Sequence, residues 1–141
     1  MTARRASIRR EIRIACPAAA VWEVVGDPAR LAQWWPGVAG VEVADGVRTV
    51  TTSAGLAIAE EIVTLDPLQR RFQYRIRGGL VSEHLSTVDV IDLGESTSLA
   101  VYSVDAVPAT MALVIGGAGW GALEELKRLL EQGPSSGREE R

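Results

Sequence analysis

Between Ile8 and Ile14, apolar and charged side chains alternate. Ile8, Ile12 and Ile14 fall on one face, and Arg9, Glu11 and Arg13 on the other. This period of two predicts a half-buried strand, with Arg10 as an odd charged residue on the apolar face. Pro17 ends the strand and opens a short helix, PAAAVWEVVGD, in which Val21, Val24 and Val25 share a side. Asp27-Pro28 restarts the chain as a second short helix, DPARLAQWW. Asp27 is its N-cap and Pro28 its first helical residue, and Pro36-Gly37 stops it. VAGVEVA and VRTVTTS then flank Asp45-Gly46, a two-residue hairpin signal. LAIAEEIVTL and RFQYRIR follow around Asp66-Pro67, and SEHLSTVDVI and TSLAVYSVDAV around Gly94-Glu95. The order is one strand, two short helices, six strands and one long helix. Such an antiparallel sheet needs a cover for its inner face, and the C-terminal helix is the element able to supply it. This predicts an α+β domain over residues 7–132, between a flexible arm at 1–6 and a polar, disorder-like tail at 133–141.

The C-terminal helix carries an unusual upper half. Gly116, Gly117, Gly119 and Gly121 crowd around Trp120, although each helical glycine costs about 1 kcal/mol against alanine. At 100° per residue, Ala112, Ile115, Gly116, Gly119, Ala122, Leu123, Leu126 and Leu130 form the sheet-facing stripe. Its lower half is leucine and its upper half small, which predicts room for a ligand beside Gly116 and Gly119. Gly117 and Gly121 lie off the stripe and predict a soft or broken helix, with Trp120 on the flank as a lid or partner contact. The alternative is a helix close-packed on the sheet at its small residues. A phosphate cradle is excluded, because GGAGWG lacks the Lys-Ser/Thr of a P-loop.

Composition narrows the function. With 141 residues, 47% hydrophobic and 23% charged, the chain is of ordinary globular type. A net charge of −3 argues against a nucleic-acid partner. Cys16 is the only cysteine and His84 the only histidine. These counts leave no intramolecular disulfide and no metal site, and no cofactor fingerprint is present. No apolar run is long enough to span a membrane, so a cytoplasmic protein, monomeric or homodimeric, is expected.

Several stretches together resemble a known family. IRIACPAAAVWEVVGDPARLAQWWPGV, AEEIVTLDPLQRRFQYRI, HLSTVDVIDLGESTSLAVYSVDAVP and ALEELKRLLE are similar to the START-like (SRPBCC) helix-grip superfamily over about residues 7–132. The nearest likeness is to small bacterial proteins of the polyketide cyclase/dehydratase kind. The resemblance implies a curved seven-stranded antiparallel sheet gripping the long helix around an internal cavity. It also implies that one of Trp34 and Trp35 is core, leaving the other, taken as Trp35, to line the cavity or its mouth.

Strand alternation then selects the inward side chains: Ile58, Glu60 and Ile62; Phe72, Tyr74 and Ile76; His84, Ser86 and Val88; Tyr102 and Val104. Tight turns would pair Tyr74 with Ser86, Ile76 with His84, Ser86 with Val104 and Val88 with Tyr102. They would put Glu60 opposite Tyr74 or Ile76, so that Glu60, Tyr74 and Ser86 make one row. Arg10 is a candidate partner for Glu60. The remaining wall would come from Ile115, Gly116, Gly119 and Trp120 of the helix.

Three functions compete. The first is a carrier or sensor for a small hydrophobic molecule, lipid or polyketide-like. The second is a cofactor-free cyclase or dehydratase with Glu60, His84 and Tyr74 as its acid–base set, because burial shifts Glu and His toward useful pKa values. The third is an interaction module with a vestigial cavity. With aromatics at 5% and one inward arginine apparent, a small or strongly apolar ligand fits better than a long polyketide chain.

Overall fold

A computed structural model describes residues 3–132. Seven strands form one antiparallel sheet in the order β1-β7-β6-β5-β4-β3-β2. They are β1 (Ala6–Ile14), β2 (Val38–Ala44), β3 (Val47–Thr52), β4 (Ala57–Asp66), β5 (Arg71–Arg77), β6 (Glu83–Gly94) and β7 (Thr97–Val107). Helix α1 (Ala18–Val25) and a 3₁₀ segment (Pro28–Gln33) lie between β1 and β2, and α2 (Ala109–Gln132) closes the chain. The second short helix is thus a 3₁₀ turn, capped as expected by Asp27 Oδ1 accepting from the Ala29 N–H at 3.1 Å. Asp45 and Gly46 both have positive φ, which the two-residue hairpin turn between β2 and β3 requires. Strand β1 starts at Ala6, inside the expected arm, and Arg5 before it pairs with Glu83. The expected tail at 133–141 lies outside the described residues.

Two sheet registers decide which side chains meet. In β6–β7, Ser86 opposes Val104 and Val88 opposes Tyr102, as alternation predicts. In β4–β5, a bulge between Ile62 and Thr64 intervenes. The register next to the turn pairs Leu65 with Phe72 and Thr64 with Gln73; continued without the bulge, it would oppose Glu60 to Arg77 and turn it outward. The extra residue restores Ile62 to Tyr74 and Glu60 to Ile76, so Glu60 faces in. Glu60 therefore stands one row away from Tyr74 and Ser86, not in their row.

Helix α2 is unbroken through all four glycines, so no break is present at Gly117 or Gly121. Its buried stripe is Ala112, Gly116, Gly119, Ala122, Leu123 and Leu126, and it packs mainly on β1 and β7. A Cβ at Gly116 would stand 2.8 Å from Ile8 Cγ2, and one at Gly119 only 2.3 Å from Tyr102 Cδ2. The room expected beside these two glycines is therefore filled by Ile8 and Tyr102. Small residues there bring the helix down onto one half of the sheet. Its lower end is anchored to the tip of β1: Lys127 Nζ donates to the Arg13 carbonyl, and Glu131 accepts the Ala15 N–H, each at 2.8 Å. The other half of the inner face, over β3, β4 and β5, keeps its space.

Candidate functional site

That space is a pocket of about 270 Å³. Its roof is the outer flank of α2: Met111, Val114, Ile115 and Ala118. One side wall is Leu31 of the 3₁₀ segment with Trp35, Pro36 and Gly37 just after it. The floor comes from Val38 of β2, Val50 and Thr52 of β3, Ile58 and Glu60 of β4, and Tyr74 and Ile76 of β5. Leu80 of the β5–β6 connection and Val114 are exposed while lining it, so they form the rim of an open mouth. Trp34 is core, and Trp35 is the tryptophan that reaches the pocket, its ring edge-on to Tyr102 at 5.4 Å.

Glu60 and Tyr74 are the titratable groups in this wall. Glu60 is bound by Arg48, whose Nε donates to Glu60 Oε1 at 2.7 Å. The pair follows from β3–β4 pairing, which sets Arg48 directly across from Glu60. Arg48 is only 2% exposed. Its Nη1 donates to the Pro28 carbonyl at 3.3 Å, and its guanidinium lies over the rings of Phe72 and Tyr74, 5.0 and 4.8 Å from their centroids. Nη2 has no partner among the described residues. Burial raises the Glu60 pKa above its ordinary value, while the charge and hydrogen bond of Arg48 hold it back. Burial, reinforced by the negative field of Glu60, pushes the Tyr74 phenol up to about 12.

Behind Tyr74 runs a buried polar chain. The hydroxyls of Tyr74 and Tyr102 are 3.3 Å apart, those of Tyr102 and Ser86 2.7 Å, and Ser86 Oγ is 2.9 Å from His84 Nε2. The ring of His84 takes the place of a strand partner. Backbone pairing of β5 with β6 stops at Tyr74–Ser86, and the Ile76 N–H donates instead to His84 Nδ1 at 2.8 Å. Burial, with the nearby Arg75 cation, lowers the His84 pKa to about 4. His84 also borders a polar depression with Arg75, Glu83 and Asp105, on the outer side of the sheet from the pocket.

The expected site residues therefore divide. Glu60, Tyr74, Trp35, Ile58, Ile76 and Ile115 meet around the pocket. His84 and Ser86 stand behind it, and Phe72, Val88, Tyr102 and Val104 are buried core rather than wall. Ile62, half-buried, is not in the wall either. Gly116 and Gly119 are packing contacts, and Trp120 is 39% exposed, away from the pocket. Arg10 shares the inner face of β1, opposite Tyr102, but β1 is a sheet edge and the side chain runs into solvent, its Nη1 donating to the Arg9 carbonyl. Arg48, not Arg10, is the partner of Glu60. Its signal was available in VRTVTTS, where Arg48 shares a face with Val50 and Thr52.

The model of the family described as polyketide cyclase / dehydrase and lipid transport matches residues 5–131. The chain belongs to this family. Solved structures agree on the helix-grip fold. Protein XoxI from Bacillus cereus is 23% identical with a TM-score of 0.84, covering 89% of this chain and 96% of that one. The Zhui aromatase/cyclase from Streptomyces sp. R1128 is 19% identical with a TM-score of 0.79, covering 92% and 95%. Norcoclaurine synthase from Thalictrum flavum, in complex with dopamine and hydroxybenzaldehyde, is 16% identical with a TM-score of 0.73, covering 93% and 89%. No curated protein matches the chain. Among the described residues no helix is long and apolar enough to cross a membrane, and no cluster of His, Cys, Asp or Glu could hold a metal ion.

Proposed function

We propose that this chain binds a small, largely apolar molecule, lipid- or polyketide-derived, in the pocket between α2 and β3–β5, as a carrier or sensor. One observation carries the reading: an apolar wall interrupted by a single ionisable pair, Glu60 and Tyr74. Ligand pockets combine these features, a mostly apolar lining with few polar groups that fix orientation. The volume of about 270 Å³ suits one or two rings or a short acyl chain; benzene alone fills a cavity of about 150 Å³. A long polyketide chain would not fit inside. Native mass spectrometry of the purified chain should detect a retained small molecule, and 2-acetylnaphthalene should quench Trp35 on titration. Ile115→Trp, which fills the pocket from the roof, should abolish both. Uptake undiminished by this substitution would refute the reading.

A second reading, a cofactor-free enzyme of the cyclase or dehydratase kind, is favoured by the raised pKa of Glu60. A carboxylate made more basic by burial can take a proton from the carbon next to a ketone, with Tyr74 donating to the developing oxyanion. His84 has no part in this step, since its ring nitrogens are occupied by Ile76 and Ser86. The α-methyl protons of 2-acetylnaphthalene would then exchange faster in D₂O with the wild type and not with Glu60→Gln. Exchange at the uncatalysed rate with saturating wild type leaves the binding function alone.

A further inference from the structure

The polar chain behind the pocket has a direction, and one backbone group sets it. A peptide N–H can only donate, so the contact from Ile76 makes His84 Nδ1 an acceptor. The neutral ring then carries its proton on Nε2 and donates to Ser86 Oγ. Ser86 is fully buried, and Tyr102 Oη at 2.7 Å is the phenol in close contact with it, so the Ser86 proton goes to Tyr102. Tyr102 in turn donates to Tyr74. The Tyr74 oxygen is thus supplied with a donor from inside the protein, and its other hydroxyl neighbour, Ser86, already accepts from His84. Tyr74 is a wall residue of the pocket, where a ligand oxygen can accept its hydrogen bond.

We propose that Tyr74 is held as a hydrogen-bond donor to the ligand, that His84 is the positioning residue imposing this polarity through Ser86 and Tyr102, and that the pocket selects a carbonyl-bearing or anionic-oxygen ligand over a hydrocarbon of the same shape. The proposal rests on the pocket being a binding site. The opposite polarity would offer the Tyr74 lone pairs instead and select hydroxyl donors.

Two measurements test it. Nitrogen-15 NMR of the ligand-free protein near pH 7 should show His84 protonated on Nε2; protonation on Nδ1 overturns the polarity. Affinities are then compared for 2-acetylnaphthalene and 2-isopropenylnaphthalene, which differ only in a carbonyl against a methylene. The wild type should prefer the ketone roughly five- to tenfold, the worth of one net hydrogen bond. Tyr74→Phe should bring the ratio to within about twofold of unity, and Ser86→Ala, which frees Tyr102 to accept from Tyr74, should lower it about threefold. An unaltered ratio in either variant, or equal losses for both probes, overturns the proposal. Failure of the wild type to bind either probe overturns the pocket reading itself, while the tautomer still reports the polarity independently.

Discussion

Replacing Gly119 by alanine should destabilise the protein, although alanine is the better helix former. The added Cβ would lie 2.3 and 2.4 Å from Cδ2 and Cε2 of Tyr102. That ring cannot swing aside cheaply. It is 1% exposed, edge-on to Trp35, and its hydroxyl is tied to Ser86 at 2.7 Å. Forcing a methyl into a packed site costs about 1–3 kcal/mol, and the gain in helix propensity returns about 1 kcal/mol. The net expectation is a loss of up to about 2 kcal/mol. Gly117 is the internal control. It sits two positions earlier in the same helix, and a Cβ there meets nothing within 4 Å. Gly117→Ala should therefore stabilise by about 0.5–1 kcal/mol. Urea unfolding at constant m-value reads both as shifts in midpoint of opposite sign. Shifts of the same sign in the two variants would refute the assignment of Gly119 to close packing and Gly117 to open helix surface.

Two further predictions concern buried charge. Arg48→Met and Glu60→Leu should each cost about 3–5 kcal/mol, because each strands the other member of a buried pair, whereas the double variant Arg48→Met/Glu60→Leu should recover most of the loss; a denaturation double-mutant cycle with no coupling would disprove the pair. His84 is depressed from 6.5 to about 4, so the unfolded chain binds the extra proton between these values. Its contribution to stability is complete above pH 6.5 and is lost as pH falls toward about 4. Glu60 acts with the opposite sign, since a raised carboxyl pKa favours the folded state on acidification. The difference in stability between wild type and His84→Gln isolates the histidine: it should shrink across that window, and a constant difference would contradict the inferred burial of a neutral ring.

Much of this architecture is visible in local patterns, because each depends on neighbours in sequence. Period-two alternation places Ile8, Tyr74, Ser86 and Val104 on one face; Asp45-Gly46 and Asp27-Pro28 encode a hairpin and a cap; Ala112, Leu123 and Leu126 mark the buried stripe of α2. Ser86 stands across from Val104 and Val88 across from Tyr102 only because a bulge between Asp92 and Gly94 shifts the register that the Gly94–Thr97 pair begins at the turn. The same reasoning falters where one residue changes the count. The bulge after Ile62 has no sequence mark of its own, yet it decides that Glu60 stands across from Ile76, one row from Tyr74.

The sequence by itself determined the order of elements, the family and the inward set containing Glu60, Tyr74, Ser86 and His84. Only the tertiary structure decided which of them share a space. Helix α2 comes down on β1 and β7 because Ile8 and Tyr102 occupy the gaps at Gly116 and Gly119, so the pocket opens on the opposite half of the sheet. The position of β1 at the sheet edge sends Arg10 to solvent, and β3–β4 pairing gives Glu60 to Arg48. These outcomes depend on distances between segments far apart in the chain, which periodicity along one segment does not contain.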